Sequence, residues 1–391
     1  RPQKAVFVDR DGTLNVLRGY VRQPDELDLL PHAAEAVRAF NNAEYRVVLV
    51  TNQPVLARGD CSFDDLRRIH NRLESRLGEE GAYLDAIYFC PHHPDAGFSG
   101  EVAALKVACD CRKPATGMVR EAMAAMNIQA AQSWMIGDST ADVLAAHRMG
   151  LRSVLVETGE GGADGKHIVH PDFRFPHIGA AADFIVRIYP RLAARVAGWV
   201  DQIQPGDLVL IGGLARNGKS TLASVLKYEL VQRGLDTTAL SLDDWLRPEA
   251  LRQPGGLGRY GLDEARHDLG NWLAGGSAEF ELQGYDRLHR NRGPARHIVL
   301  KQETVLILEG VPALHADLVS PRRTWRLYIE GSEALRRARV EADLMARGLA
   351  NEQGAKACYF QRQEDEAPLI LAARSSADHV LDLDSILSDT P

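Results

Sequence analysis

Cysteine is scarce in this chain: five in 391 residues cannot build a disulfide framework, which fits a reducing cytoplasm. No apolar stretch approaches the roughly 20 residues needed to span a bilayer, and no signal-peptide pattern is visible, so a cytoplasmic protein with no membrane partner is expected. Basic residues are not in excess. Lys and Arg number 46 against 53 Asp and Glu, giving a formal charge of −7. Residues 1–200 carry 23 basic and 25 acidic side chains and the remainder carries 23 and 28, so neither half has the surplus of a non-specific nucleic-acid binder. Internal repeats and low-complexity tracts are also missing. The first residue is Arg1 rather than Met, so a few native residues are expected to precede it.

What is present is ordinary globular material. At roughly 100–200 residues per domain, the length predicts two or three domains. Ala5–Val8, Val47–Val50, Trp134–Ile136 and Val154–Val156 are apolar runs of strand length, separated by helical patterns such as Pro31–Phe40 and Thr116–Met126. Continuous apolar runs are how buried parallel strands read, so this is α/β order. A Gly-rich break covers Thr158–Gly165, and Pro171–Ile188 has room for one more strand and helix. Arg191–Gln204, bounded by Pro190 and Pro205, reads as a connecting helix. A second series follows at Asp207–Ile211, Thr238–Leu242, Thr304–Leu308 and Trp325–Ile329. The expectation is two doubly wound parallel-sheet domains, 1–189 and 206–391, joined by a linker helix at 190–205.

The first of these series ends its strands in chemistry. Asp9 and Asp11 follow Val6-Phe7-Val8 two residues apart, so both carboxylates can face one crevice at the strand's carboxyl end. One can attack phosphorus while the other protonates the leaving oxygen and then activates water. Thr51 ends the next apolar run with a hydroxyl for a phosphoryl oxygen, Arg112-Lys113 offers cations, and Gly137-Asp138-Ser139-Thr140-Ala141-Asp142 offers carboxylates for a hard cation. In this order the four segments resemble the haloacid dehalogenase superfamily of phosphatases, and more closely its heptose-bisphosphate and histidinol-phosphate phosphatase branch. Asp9-Arg10-Asp11-Gly12-Thr13-Leu14-Asn15, Gly19-Tyr20-Val21, Thr51-Asn52-Gln53, Ala57-Arg58-Gly59 and Cys109-Asp110-Cys111-Arg112-Lys113-Pro114 carry the likeness. The resemblance implies Asp9 as nucleophile, Asp11 as general acid and base, and Thr51 and Lys113 on the phosphoryl group, with Asn52 and Arg112 beside them. It also implies Mg²⁺ on the side chains of Asp9 and Asp138 and the carbonyl of Asp11. The family has Asn-Gln-Ser-Gly where this chain has Asn52-Gln53-Pro54-Val55, close to the substrate entrance.

Cys90-Pro91-His92 and Cys109-Asp110-Cys111 supply three thiolates and an imidazole, a donor set suited to closed, structural, tetrahedral Zn²⁺. The 16 residues between the two pairs have little periodicity, and a metal would offset the entropy of ordering them. His93 competes with His92 for the fourth position, and the resemblance favours His92. Cys61 and Cys358 read as small packed hydrophobes.

In the second half, Asp207–Ile211 runs into Gly213-Leu214-Ala215-Arg216-Asn217-Gly218-Lys219-Ser220, a G-x-x-x-x-G-K-S phosphate loop followed by Thr221 and a helical stretch from Lys219 to Arg233, with Gly234 as its stop. Backbone N–H groups would cradle the phosphates of ATP, Lys219 would reach the β and γ oxygens and Ser220 would bind Mg²⁺. Asp243 and Asp244 close the next strand, and either can take a proton from an acceptor hydroxyl. Glu309 ends a later strand, and Arg336, Arg337, Arg339 and Arg347 fall on one predicted helix. These features resemble the uridine kinase and phosphoribulokinase group. The resemblance implies Asp243 as the catalytic carboxylate and Arg339 and Arg347 as lid residues over ATP; Ala342 replaces a further lid arginine. Tyr285-Asp286-Arg287-Leu288-His289-Arg290 shifts the nucleoside-reading His by one place. The arginine run Arg287, Arg290, Arg292 and Arg296 is either a solvated loop or, through Arg290 and Arg292, the seat of an acceptor that already carries a phosphate.

The expected protein is therefore bifunctional, a phosphatase for sugar-(bis)phosphate-type esters and an ATP-dependent kinase for a small-molecule hydroxyl. The two steps are sequential if the kinase makes the bisphosphate. Polynucleotide kinase 3′-phosphatases pair the same two superfamilies. The acidic charge of both halves and the zinc-loop likeness weigh against that alternative, and no basic, aromatic-interleaved groove is evident. A binding protein with dead catalytic folds is disfavoured because every group the two mechanisms need is present.

Overall fold

Each apolar run that ends in polar residues becomes a strand in the computed structural model, which describes residues 1–97, 99–286, 291–316, 318–346 and 351–388. The chain divides into two units, Arg1–Tyr189 and Pro190–Pro391. Among the described residues no helix is long and apolar enough to cross a membrane.

In the first unit β1 (Ala5–Val8), α1 (Ala33–Asn42), β2 (Arg46–Asn52), α2 (Phe63–Gly78), β3 (Ala86–Cys90), α3 (Gly117–Met126), β4 (Trp134–Gly137), α4 (Thr140–Arg148), β5 (Arg152–Val156), β6 (Phe173–Phe175) and α5 (Ile178–Asp183) alternate almost regularly. The six strands form one parallel sheet in the order β3-β2-β1-β4-β5-β6. Val6 is in register with both Val47 and Trp134, so β1 is central and buried on both faces, which its unbroken Ala-Val-Phe-Val run requires. One face packs Phe7, Val48, Val50 and Met135 against Val119 and Ala122 of α3 and Ala145 and Ala146 of α4. The chain order reverses between β1 and β4, which opens a crevice at the carboxyl ends of those strands.

The second unit begins along α6 (Tyr189–Val200), where Leu192, Val196, Trp199 and Val200 repeat at helical spacing and are buried, and Trp199 packs on the His379 ring. It continues with β7 (Leu208–Gly212), α7 (Lys219–Gln232), β8 (Thr237–Ser241), α8 (Leu262–Leu273), β9 (Ala278–Asp286), β10 (Asn291–Leu300), β11 (Val305–Glu309), β12 (Thr324–Glu330), α9 (Glu333–Ala346), α10 (Glu352–Asp365), α11 (Ala367–Ala372), β13 (His379–Asp382) and α12 (Leu383–Ser388). Five strands form a parallel sheet in the order β13-β12-β7-β11-β8, with β7 central.

The antiparallel hairpin β9–β10 was not expected from the sequence. Its signal is the alternation Ala278, Phe280, Leu282 on one face and Glu279, Glu281, Gln283 on the other, a period-two pattern too polar to read as a buried strand. Arg287, His289, Arg290, Arg347 and Gly348 lie outside the described residues.

Candidate functional sites

Asp9, Thr51 and Asp138 follow or end β1, β2 and β4, which brings them to the crevice at the switch point. Lys113 joins them from the loop before α3. Its ammonium donates to Asp9 Oδ1 at 2.8 Å and to the Val50 carbonyl at 2.7 Å, and lies 2.6 Å from Asp142 Oδ1. Burial opposes the lysine's charge, but Asp142 and Asp9 overcome it and raise its pKa. Burial pushes the Asp9 carboxyl up to about 6 and the Asp138 carboxyl to about 8, with neighbouring carboxylates adding to both. Oxygens of Asp9, Asp138 and Asp142 lie within 4.8 Å of one another. Three buried carboxylates against one ammonium are a donor set that fits a hard divalent cation.

Glycine makes this crowding possible. Gly12 has φ +78°, and a Cβ there would fall 2.2 Å from Asp138 Oδ2; a Cβ on Gly159 would fall 2.1 Å from the same oxygen. The Glu160 N–H donates to Asp138 Oδ2 at 2.8 Å and the Thr158 hydroxyl to the Gly12 carbonyl at 2.6 Å. The stretch Thr158–Gly165, read from sequence as a break, thus helps to seat Asp138.

Asp11 is held separately. Arg10 forks onto it at 3.0–3.2 Å through Nη2, while Gln53 donates to Oδ2 at 2.9 Å and Asn15 to Oδ1 at 3.0 Å. Burial acts to raise the Asp11 pKa, and Arg10, Asn15 and Gln53 outweigh it and bring it below the ordinary value. Gln53 also donates to the Thr51 hydroxyl at 2.8 Å and accepts from Arg10 at 2.9 Å. Asn52 holds the lysine's backbone, donating to the Lys113 carbonyl at 3.0 Å and accepting from its N–H at 2.9 Å. Arg10 and Gln53 carry roles that the motifs do not mark, and Asp142, expected among carboxylates for a cation, pairs with Lys113. For Arg10 the only signal in the sequence is its place between the two aspartates, and for Gln53 its place two residues after Thr51.

The cysteine cluster assembles as expected in composition. Cys90 Sγ lies 3.5 Å from Cys109 and 3.1 Å from Cys111, Cys109 and Cys111 are 3.3 Å apart, and His92 Nδ1 is 3.3 Å from Cys111 and 3.8 Å from Cys90. Bonds of about 2.3 Å from a tetrahedral zinc would set edges of about 3.8 Å, so the four atoms fit that ion after small adjustment. His93 is elsewhere, its Nδ1 accepting from the Asp95 N–H at 3.2 Å. Arg112 donates to the His92 carbonyl at 3.2 Å, which ties the cluster to the residue beside Lys113.

In the second unit the glycine-rich loop leaves β7 and enters α7 at Lys219. A Cβ on Gly213 would fall 2.2 Å from the Ile329 carbonyl oxygen, and Gly218 has φ +83°. Asn217 is buried, and Thr221, the third residue of the helix, is half-buried. Lys219 Nζ donates to the Leu214 carbonyl at 2.8 Å, and burial lowers its pKa. Ser220 donates to Glu309 Oε1 at 3.0 Å, and burial raises the glutamate's pKa. Asp243 and Asp244 share one short helical turn after β8 but differ in partners. Asp244 Oδ2 accepts from Arg296 at 2.7 Å, while the charge of Asp243 bears on Lys219 and Glu309. Arg292, expected at an acceptor phosphate, is paired with Glu264 at 2.5 Å. Arg339 is exposed on α9.

Comparison with known proteins agrees with the first site. A family profile described as HAD-hydrolase-like matches residues 110–181. D-glycero-beta-D-manno-heptose-1,7-bisphosphate 7-phosphatase of Haemophilus ducreyi is 42% identical over 160 residues, which cover 40% of this chain and 85% of that protein. The enzyme of the same name from Yersinia pestis is 40% identical over 157 residues, covering 40% and 81%. The chain thus belongs, through its N-terminal half, to the HAD-like phosphatases of the heptose-bisphosphate phosphatase family. Among solved structures, D,D-heptose 1,7-bisphosphate phosphatase from B. bronchiseptica, complexed with magnesium and phosphate, is 34% identical, covers 46% of this chain and 97% of its own, and has a TM-score of 0.41. A possible uridine kinase from Bacillus stearothermophilus is 20% identical, covers 49% and 99%, and has a TM-score of 0.33.

Proposed function

We propose that the chain carries two phosphoryl-transfer activities: a phosphatase for a small sugar-bisphosphate-type ester, and an ATP-dependent kinase for a small-molecule hydroxyl. The observation that carries the first is the Lys113 ammonium between Asp9 and Asp142 at the sheet's switch point. Asp9 attacks phosphorus, the bond to the leaving oxygen breaks, and Asp11 supplies the proton that oxygen takes. Asp11 then removes a proton from water, which attacks the aspartyl-phosphate and frees Asp9. Lys113 and the Thr51 hydroxyl hold the phosphoryl oxygens, and Arg112 stands beside them. Mg²⁺, held by Asp9, Asp138 and the Asp11 carbonyl, would neutralise phosphoryl charge. Zinc on Cys90, His92, Cys109 and Cys111 would be structural, and its thiolates suit a reducing compartment such as the cytoplasm.

The kinase rests on the phosphate loop. The backbone of Gly213–Gly218 and the start of α7 receive the ATP phosphates, Lys219 meets their charge, and Ser220 with Glu309 would hold Mg²⁺. Asp243 is the base, since its charge bears on Lys219 and Arg259 beside the phosphate loop. Arg339 belongs to a lid. The pairing of Arg292 and Arg296 with carboxylates favours a small acceptor over a polyanion such as nucleic acid.

A phosphate-ester panel that includes heptose bisphosphates, run beside an ATP-consumption screen of sugars, sugar phosphates and nucleosides, tests both. Release from a sugar bisphosphate and ATP use with one small hydroxyl compound are expected. Turnover confined to 3′-phosphorylated strands would overturn the small-molecule reading.

A further inference from the structure

The second unit holds a guanidinium that the glycine-rich motif does not account for. Arg259 lies in the segment before α8, which pairs with the residues that follow Asp243 and Asp244. The Arg247 N–H donates to the Arg259 carbonyl at 2.8 Å and the Gly261 N–H to the Trp245 carbonyl at 2.7 Å, and Leu246 and Tyr260 form an antiparallel bridge. Tyr260 is 2% exposed, in a cluster that takes in Leu214 and Ala215 of the phosphate loop. Arg259 therefore stands beside that loop and the carboxylates that follow β8. Its charge acts on Lys219, and that of Asp243 acts on it.

One corner of the guanidinium is anchored. Nη2 donates to Glu366 Oε2 at 3.0 Å and to the Tyr260 hydroxyl at 2.8 Å. The Nε–H is buried with no acceptor. A buried cationic N–H left unmade is costly, so such a group is expected to find its acceptor in a ligand. A planar fork fixed at one corner suits phosphoryl oxygens better than any other anion an ATP site would hold.

We propose that Arg259 is a catalytic residue of the phosphate-loop site, donating to the γ-phosphoryl oxygens of ATP while that group moves to the acceptor. This rests on the kinase reading above. The acceptor oxygen forms a bond to Pγ, the bond from Pγ to the β–γ bridging oxygen breaks, and ADP leaves with the electron pair. The acceptor's proton passes to Asp243. Arg259 moves no proton; it stabilises the oxygens whose charge redistributes.

Calorimetric titration of the full chain with Mg²⁺-AMP-PNP and with Mg²⁺-ADP tests this. Arg259→Lys keeps the charge opposite Glu366 and loses the fork, and Arg259→Gln removes both. Each is expected to weaken AMP-PNP binding about tenfold or more while ADP binding stays within about twofold of the parent. Unchanged AMP-PNP binding overturns the proposal. So does equal weakening of both nucleotides, which marks a structural arginine. If the parent chain binds neither nucleotide, the kinase reading fails and the proposal falls with it; if the parent binds both, only the assignment of Arg259 is at stake.

Discussion

In the N-terminal unit the buried lysine, Lys113, lies 2.8 Å from one carboxylate and 2.6 Å from another; in the C-terminal unit the buried lysine, Lys219, donates to a backbone carbonyl of its own loop. Their pKa values move in opposite directions, up for Lys113 through Asp142 and Asp9 against burial, and down for Lys219 through burial. On the proposed reading, the contrast follows from where the reacting anion comes from. A covalent phosphatase brings its own nucleophile, a carboxylate that must stay ionised in a dry crevice, so the chain supplies the countercharge. A phosphate loop supplies only half of an ion pair, and the nucleotide supplies the rest.

Replacing each lysine should separate the two cases most sharply. Lys113→Met leaves Asp9 and Asp142 buried without their partner, and a loss of roughly 3–5 kcal/mol is expected from urea unfolding of the N-terminal unit, together with loss of phosphate release. Lys219→Met removes a charge that burial already disfavours, so the melting temperature should hold or rise while ATP binding disappears. Equal destabilisation by both would erase the distinction.

The zinc set gives the next effect. Cys109→Ser should lower bound zinc, measured by plasma mass spectrometry, from one ion per chain toward none. Phosphate release should fall about 10–100-fold, because Cys111 adjoins the Arg112-Lys113 pair and Arg112 leans on the His92 carbonyl. ADP binding by the other unit should not change. Zinc content equal to the parent's would show that Cys109 is no ligand.

A third handle is pH. His70 is buried beside Arg10, with its Nε2 3.4 Å from Arg10 Nη1, and burial followed by that charge lowers its pKa from 6.5 to about 4. Between those values the unfolded chain binds the proton and the folded one does not. The histidine's contribution is therefore complete above pH 6.5 and lost as pH falls toward 4, on the order of 3 kcal/mol in all. Unfolding followed across that window should show the slope, and His70→Gln should flatten it; a parallel slope in the variant would assign the effect to other groups.

The most local contrast is within one turn. Asp243→Asn should cost the proposed kinase activity about 10²–10⁴-fold, and Asp244→Asn less than about tenfold, because the charge of Asp243 bears on Lys219 and that of Asp244 on Arg296. ATP-consumption rates in the presence of the acceptor decide, and the reverse order would move the base to Asp244.

Much of this was legible in the chain itself, for a physical reason. Ala5–Val8 and Leu208–Gly212 are buried on both faces, so they read as unbroken apolar runs, and the groups that follow them sit at strand ends where ligands bind. Local motifs therefore pointed to Asp9, Lys113, Lys219 and the cluster of Cys90, His92, Cys109 and Cys111. The hairpin β9–β10 escaped because its polar face masks the alternation of Phe280 and Leu282. Arg10 and Gln53 were not singled out because their roles are contacts made across the fold: the two side chains that meet are 43 residues apart, and Arg10 also reaches His70, 60 residues on. Arg259 was missed for the same reason: nothing near it in sequence marks a phosphate site, and only the pairing of its segment with residues 245–247 brings it there.

The central claim, two separate phosphoryl-transfer sites on one chain, is tested most directly by measuring both activities in Asp9→Asn and in Lys219→Ala. Asp9→Asn should lose phosphate release from a sugar bisphosphate by about 10⁴-fold or more while ATP consumption persists. Lys219→Ala should do the reverse. Phosphate release that survives in Asp9→Asn, or a single substitution that removes both activities from a folded chain, would contradict it.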